Sequence, residues 1–242
     1  MSGRYGYGRD PMLVTKSLLG LLIGTCAVSF FTGPTLGDWL GTYLGFSTAT
    51  ALRQPWTLVT YAILAYDPFS VLWAGLWLWF IAGDLERTWG SRKFFYFWLA
   101  MSGLAAAGLW VGALLLQPGV PLTLRGVWLP LSAVTVAWAT LHPDALIHLY
   151  FVLPIKAKYI AWFDAAAVLF LYGSAYGRLM GFFALLSLAV AWAYADNERT
   201  GRWHWRWFHF RRTRRRRQDE DWERRFKLLM GGPEALSEEE EE

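Results

Sequence analysis

Apolar residues run along this chain in long unbroken stretches separated by short polar clusters. The first stretch covers 12–31, with Lys16 its only charge. Further stretches cover 69–83, 92–116, 127–141, 146–171 and 175–194. Stretches of 17–25 apolar residues have the length of a membrane-crossing helix. The runs do not alternate with period two, which argues against a membrane β-barrel. The pattern predicts an all-α, polytopic membrane protein with six helices. Between the first and second stretches, residues 32–66 contain Gly33, Pro34, Gly37, Gly41, Gly45 and Pro55. That segment is too broken for a span and reads as a long loop with short interfacial helices. No small-x-small cleavage site follows the first stretch, so it is expected to be an uncleaved helix.

The composition agrees. Of 242 residues, 55% are hydrophobic and 17% charged, below the quarter usual in soluble domains. A lone Cys26 excludes a disulfide scaffold. Of 23 Lys and Arg, 12 lie between Arg199 and Lys227. Counted by loop, 20 basic residues fall on one side of the six-helix arrangement and 3 on the other, the latter being Arg53, Arg125 and Arg178. Basic residues collect on the cytoplasmic side, so both termini are expected there. The chain divides into a cytoplasmic segment 1–11, a membrane domain 12–194, a basic aromatic segment 195–218, and an amphipathic helix with an acidic end at 219–242.

Candidate chemistry is sparse. His142 and His148 sit at the turn where the fifth span begins, and His204 and His209 lie in the tail, so a membrane haem or a Ser–His pair has no imidazole at depth to use. No cofactor or metal is expected. Asp164 stands inside the fifth predicted span, where a carboxylate is costly and marks either function or a helix–helix hydrogen bond. Gly108 and Gly112 on the third span, and Gly173, Gly177 and Gly181 assigned to the sixth, have the spacing of closely packed helices.

The run PWTLVTYAILAYDPFSVLWAGLWLWFIAGDLERTWGSRKFFYFWLAMSG, with Glu86, Arg87, Trp89 and Gly90 at its centre, resembles the rhomboid family of intramembrane serine proteases. LHPDALIHLYFVLPIKAKYIAWF, at 141–163, is similar to that family's link between its fourth and fifth helices. The resemblance covers 12–194 and implies a six-helix bundle in a bacterial inner membrane. It also implies a Ser in a Gly-x-Ser-Gly motif, a His on the last helix, and a His and an Asn on the second. Those positions carry over to Trp128, Ser174, Ser70 and Ala74, none of which can do that chemistry. Ser132 is the one serine of the fourth span and the fallback nucleophile. The resemblance therefore implies an inactive member, a pseudoprotease that binds transmembrane segments or joins a larger membrane complex; the alternative is a protease with unconventional residues. Trp128 is expected to plug the old active-site space. Partners would then dock on an outer face carrying Trp73 and Trp77, or around Trp39.

The tail pairs Trp203, Trp205, Arg206 and Trp207 with Arg211, Arg212, Arg214, Arg215, Arg216 and Arg217. Interfacial Trp and clustered Arg suit an anionic lipid surface. The expected partners are anionic headgroups at the cytoplasmic face and a membrane-protein partner, with no nucleic acid.

Overall fold

The computed structural model describes residues 12–32, 34–149 and 153–201. The chain falls into two compact units, 1–196 and 197–242; of the second, only 197–201 is described. Helix α1 spans Leu13–Thr32 and α2 Pro34–Leu44, followed by a short strand β1, Phe46–Ser47. A single turn α3, Thr57–Thr60, leads through a 3-10 turn, Tyr61–Ile63, to α4, Pro68–Trp77. A π-helical segment, Leu78–Ala82, joins α4 to α5, Gly83–Trp89, so that the three form one 22-residue rod. Then come α6 (Ser91–Leu116), β2 (Thr123–Leu124), α7 (Trp128–Leu141), β3 (Leu146–Leu149), β4 (Leu153–Lys156), α8 (Ala157–Tyr176) and α9 (Met180–Thr200).

Four of these helices are long and apolar enough to cross a membrane: Leu13–Thr32, Pro68–Trp89, Ser91–Leu116 and Met180–Thr200. The 14 residues of α7 are apolar but shorter than a full span. Residues 129–139 of α7 are all buried, as befits a helix that is hydrophobic all round. It packs against α4, the π-helical segment, α6 and α8.

The turns gather into two groups. At one end, β1 pairs antiparallel with β2, placing Phe46 opposite Leu124. There too the Gln117 side chain donates to the Tyr176 carbonyl, and the Tyr176 hydroxyl donates to the Thr123 carbonyl, both at 2.8 Å. At the other end, Glu86 is fully buried and accepts three hydrogen bonds from the start of α1. The donors are the Val14 amide at 2.9 Å, the Thr15 amide at 2.8 Å and the Thr15 hydroxyl at 2.7 Å. A helix leaves its first amides without internal partners; here α5 supplies the acceptor. Beside it Arg87 donates to Met12 Sδ. Trp89 meets Phe97 and Tyr194 edge to face, with the Lys93 ammonium 5.0 Å from its ring. Gly90, at φ +82°, makes the sharp turn from α5 to α6 in a conformation other residues avoid.

Three sequence expectations need correction here. The fold is mostly helical but not all-α, since β1–β2 and β3–β4 are both antiparallel pairs. The predicted fifth helix does not begin at 146: residues Leu146–Lys156 include a hairpin, in register Leu146↔Lys156. Pro154 lacks the N–H an interior helical turn needs, so the helix starts only at Ala157. That displacement carries down the chain. Gly173 and Ser174 lie on α8, Gly177 is the turn residue at φ +106°, and Gly181 alone of the three glycines lies on α9. Close approach is still their use. A Cβ at Gly181 would run into the Leu169 carbonyl, and one at Gly112 would meet the Phe183 ring at 2.7 Å.

Candidate functional site

A groove of about 640 Å³ opens between α4, α7 and α8, with Ile155 of β4 at one end. Each helix contributes a stripe at helical spacing. Trp73 and Trp77 come from α4, four apart; Leu131, Ser132 and Thr135 come from α7; Tyr159 with Phe163, and Ile160 with Asp164, come from α8. Residues three and four apart share a helix face, so the primary sequence alone aligns each stripe. Trp128, the first residue of α7, closes the list. The lining is almost wholly apolar and aromatic, the usual make-up of a binding pocket with a few placed polar groups.

Those polar groups are few and connected. Trp77 Nε1 donates to Thr135 Oγ1 at 2.9 Å, and that hydroxyl donates to the Leu131 carbonyl at 2.9 Å. The Ser132 hydroxyl donates to Asp164 Oδ1 at 3.0 Å. Asp164 Oδ2 is buried and has no hydrogen-bond partner among the described residues. The π-helical segment begins directly after Trp77. Single π turns inside α-helices occur often at functional sites because they rotate one helical face relative to the next.

Sequence reasoning finds several of these residues but groups them differently. Trp128 does not plug the space. It is 47% exposed and forms one wall of an open groove. A residue at the first position of a helix has no preceding turn to pack under, so its ring lies against the rim. Trp73 and Trp77 line the same groove, not a separate outer face. Trp39 lies apart on α2, exposed and tilted against the Tyr43 ring with centroids 4.6 Å apart. Ser70 sits in the first turn of α4, where its amide donates to Asp67 at 2.7 Å, and Ala74 is buried in the core. Ser174 is exposed, and its hydroxyl returns to the Leu171 carbonyl. These three do not line the groove. Trp203, Trp205, Arg206, Trp207, Arg211, Arg212 and Arg214 to Arg217 fall outside the described residues.

The Ser132 hydroxyl donates a hydrogen bond to a carboxylate, which is a weak base for activating a hydroxyl. His142 stands ten positions further along the chain, roughly 15 Å away by helical rise. What remains is an aromatic trough whose lining includes one carboxylate with an unpartnered oxygen.

Residues 13–200 match the model of a family described as "Eukaryotic integral membrane protein (DUF1751)". No curated protein matches the chain. The match covers well over half of the sequence, and the chain belongs to this family of integral membrane proteins. The finding corrects two expectations. The resemblance to the rhomboid serine proteases does not hold as a family assignment: the matched family is rhomboid-like, but no match specific to rhomboid proteases accompanies it. The eukaryotic description also overturns the assignment to a bacterial inner membrane.

Proposed function

We propose that this is a noncatalytic, six-span membrane protein that takes a transmembrane segment of another protein into the α4–α7–α8 groove, as adaptor, chaperone or complex subunit. The observation that carries the reading is the groove itself. It is open, aromatic and too small for a whole helix, but large enough for several side chains of one laid against it. Laying an apolar helix face into a groove is a recurrent recognition mode. Tyr159 and Phe163 are 59% and 76% exposed, so the rim is apolar where a helix would arrive from lipid.

The six-span arrangement with both ends cytoplasmic rests on the 20-to-3 distribution of basic residues. It also agrees with the way the turns gather into two groups. The basic aromatic run at 201–217 then lies against an anionic cytoplasmic leaflet, where each basic residue contributes about 1 kcal/mol.

The test is a photo-crosslinking residue placed at Phe163 and, for comparison, at Leu115 on α6. In proteoliposomes with a labelled single-span helix, adducts should form at 163 and not at 115. Equal yields at both sites would mean random collision in the bilayer. Covalent labelling of Ser132 by a fluorophosphonate probe would replace this reading with an enzyme.

A further inference from the structure

The groove holds one feature that simple apolar docking leaves without a use. Asp164 is the eighth of the 20 residues of α8. At 1.5 Å per residue it lies about 10 Å from the Ala157 end and about 18 Å from the Tyr176 end. Lys156 and Lys158 flank the near end and Arg178 the far end, and all three are exposed. On the six-span reading proposed above, α8 is the fifth span, and Asp164 then stands about 10 Å inside its nearer end, within the hydrocarbon region. One of its oxygens is held by Ser132. The other is buried and lacks a partner among the described residues, on a side chain that lines the groove. A buried carboxylate oxygen without a donor is costly in a low-dielectric setting. Trp77 and Thr135 do not relieve it, because their donors point to one another and to the Leu131 carbonyl.

We infer that the helix bound in this groove carries one nitrogen donor at the depth of Asp164, a guanidinium or a carboxamide, that pairs with the free oxygen of that carboxylate. This deepens the reading above and rests on it. Depth decides between the sources of such a donor. Phospholipid headgroups lie outside the hydrocarbon region, more than a helical turn beyond Asp164. A side chain on a neighbouring helix is delivered at any depth. The aromatic walls exclude water on either side of the pair, which strengthens it. Ser132, donating to Oδ1, fixes the rotation of the carboxylate and leaves Oδ2 as the oxygen still to be paired. The arrangement makes the protein selective: an all-apolar helix fits the trough but leaves the carboxylate unpaired, whereas a helix with one central donor satisfies it.

The experiment uses the full chain in proteoliposomes with the crosslinker at Phe163. Three single-span probes share one Leu/Ala host sequence. One is unsubstituted, one carries a central Arg and one a central Asn. The two donor probes should crosslink about fivefold to tenfold better than the unsubstituted one, the range expected of a single interhelical hydrogen bond. Asp164→Leu should erase that preference while keeping the unsubstituted probe. Asp164→Asn, which preserves shape, should lose the preference for Arg and keep part of that for Asn. Thermal midpoints of both variants, measured in parallel, exclude misfolding as the cause. Equal crosslinking of all three probes at Phe163 would overturn the inference and leave the groove reading intact. Adducts to lipid alone, with none to any probe, would overturn both.

Discussion

Glu86 and Asp164 are both drawn out of water in this bundle, the first fully and the second in part, and they live under opposite conditions. Glu86 sits where α5 meets the start of α1 and accepts three hydrogen bonds from Val14 and Thr15. Asp164 sits in the α4–α7–α8 groove with one hydrogen bond from Ser132 and one oxygen without a partner. Both groups cost free energy to remove from water. The first is compensated inside the fold by a helix end that needed an acceptor anyway. The second is compensated only in part, which is tolerable where an outside group completes it. Withdrawal from water thus marks structure at Glu86 and, on the reading proposed above, recognition at Asp164; the difference lies in the count of donors.

The comparison breaks most sharply at Glu86. Glu86→Ala leaves two amides and a hydroxyl without their acceptor in a closed environment. Each orphaned donor costs about 1–3 kcal/mol, so the total loss should be about 3 kcal/mol or more. The expected outcome is a large fall in thermal midpoint in detergent, or no folded protein. A midpoint within a degree or two of the parent would show that Glu86 is as dispensable as an unpaired group.

Asp164→Leu should do the reverse. Replacing a half-satisfied buried polar group with an apolar one of similar size is often neutral or stabilising. The midpoint should stay level or rise by the equivalent of about 1 kcal/mol. A fall comparable with that of Glu86→Ala would make Asp164 structural and erase the contrast. Trp128→Ala falls between the two. Emptying a fully packed Trp site costs about 3–5 kcal/mol, but half of this ring is exposed. A loss of about 1–2 kcal/mol is expected, with a wider groove and weaker retention of any probe helix at Phe163.

The two regions also differed in how far they could be read from the chain. The Glu86 end lies just past the apolar run that closes at 83, where α5 continues to Trp89, and the starts of α1, α6 and α7 fall within one residue of the apolar runs. The groove depends on α8, and that is where reading fails. Residues 146–149 and 153–156 are as apolar as a helix, so hydrophobicity alone cannot tell the hairpin from the span. Pro154 was the available signal. The glycines at 173, 177 and 181 looked like one packing stripe because a turn at Gly177 and a helical face both ask for glycine. Ser132 and Asp164 were each visible as unusual in apolar surroundings, but their contact joins two helices 32 positions apart in sequence. No local pattern reports such a meeting. Trp73, Trp77 and Trp128 likewise became a single wall only through the packing of α4 on α7.

The smallest effect belongs to a third carboxylate, which isolates the role of burial. Asp67 caps α4, accepting from the Ser70 amide at 2.7 Å just before Pro68 begins the helix. It is exposed, so its desolvation is slight. Ser70 holds its acidity below the ordinary carboxylate range, through the hydroxyl first and the amide second. The folded state therefore favours the ionised form, and the unfolded chain binds the proton more tightly. The contribution of this cap is complete above the unfolded value of about 3.9 and is lost as pH falls through the lower folded value. Asp67→Ala should cost about 0.5–1 kcal/mol near neutral pH, an ordinary capping loss. The gap in midpoint between parent and variant should be steady from pH 7 to pH 5 and shrink toward pH 3. Taking the gap, not the parent curve, cancels every other titrating group. A gap that grew in acid would reverse the sign and show that Ser70 prefers the protonated carboxyl. A gap as large as that of Glu86→Ala would be more damaging still. It would mean that donor count sets the energy of a carboxylate here without regard to burial, and the distinction between Glu86 and Asp164 would lose its physical basis.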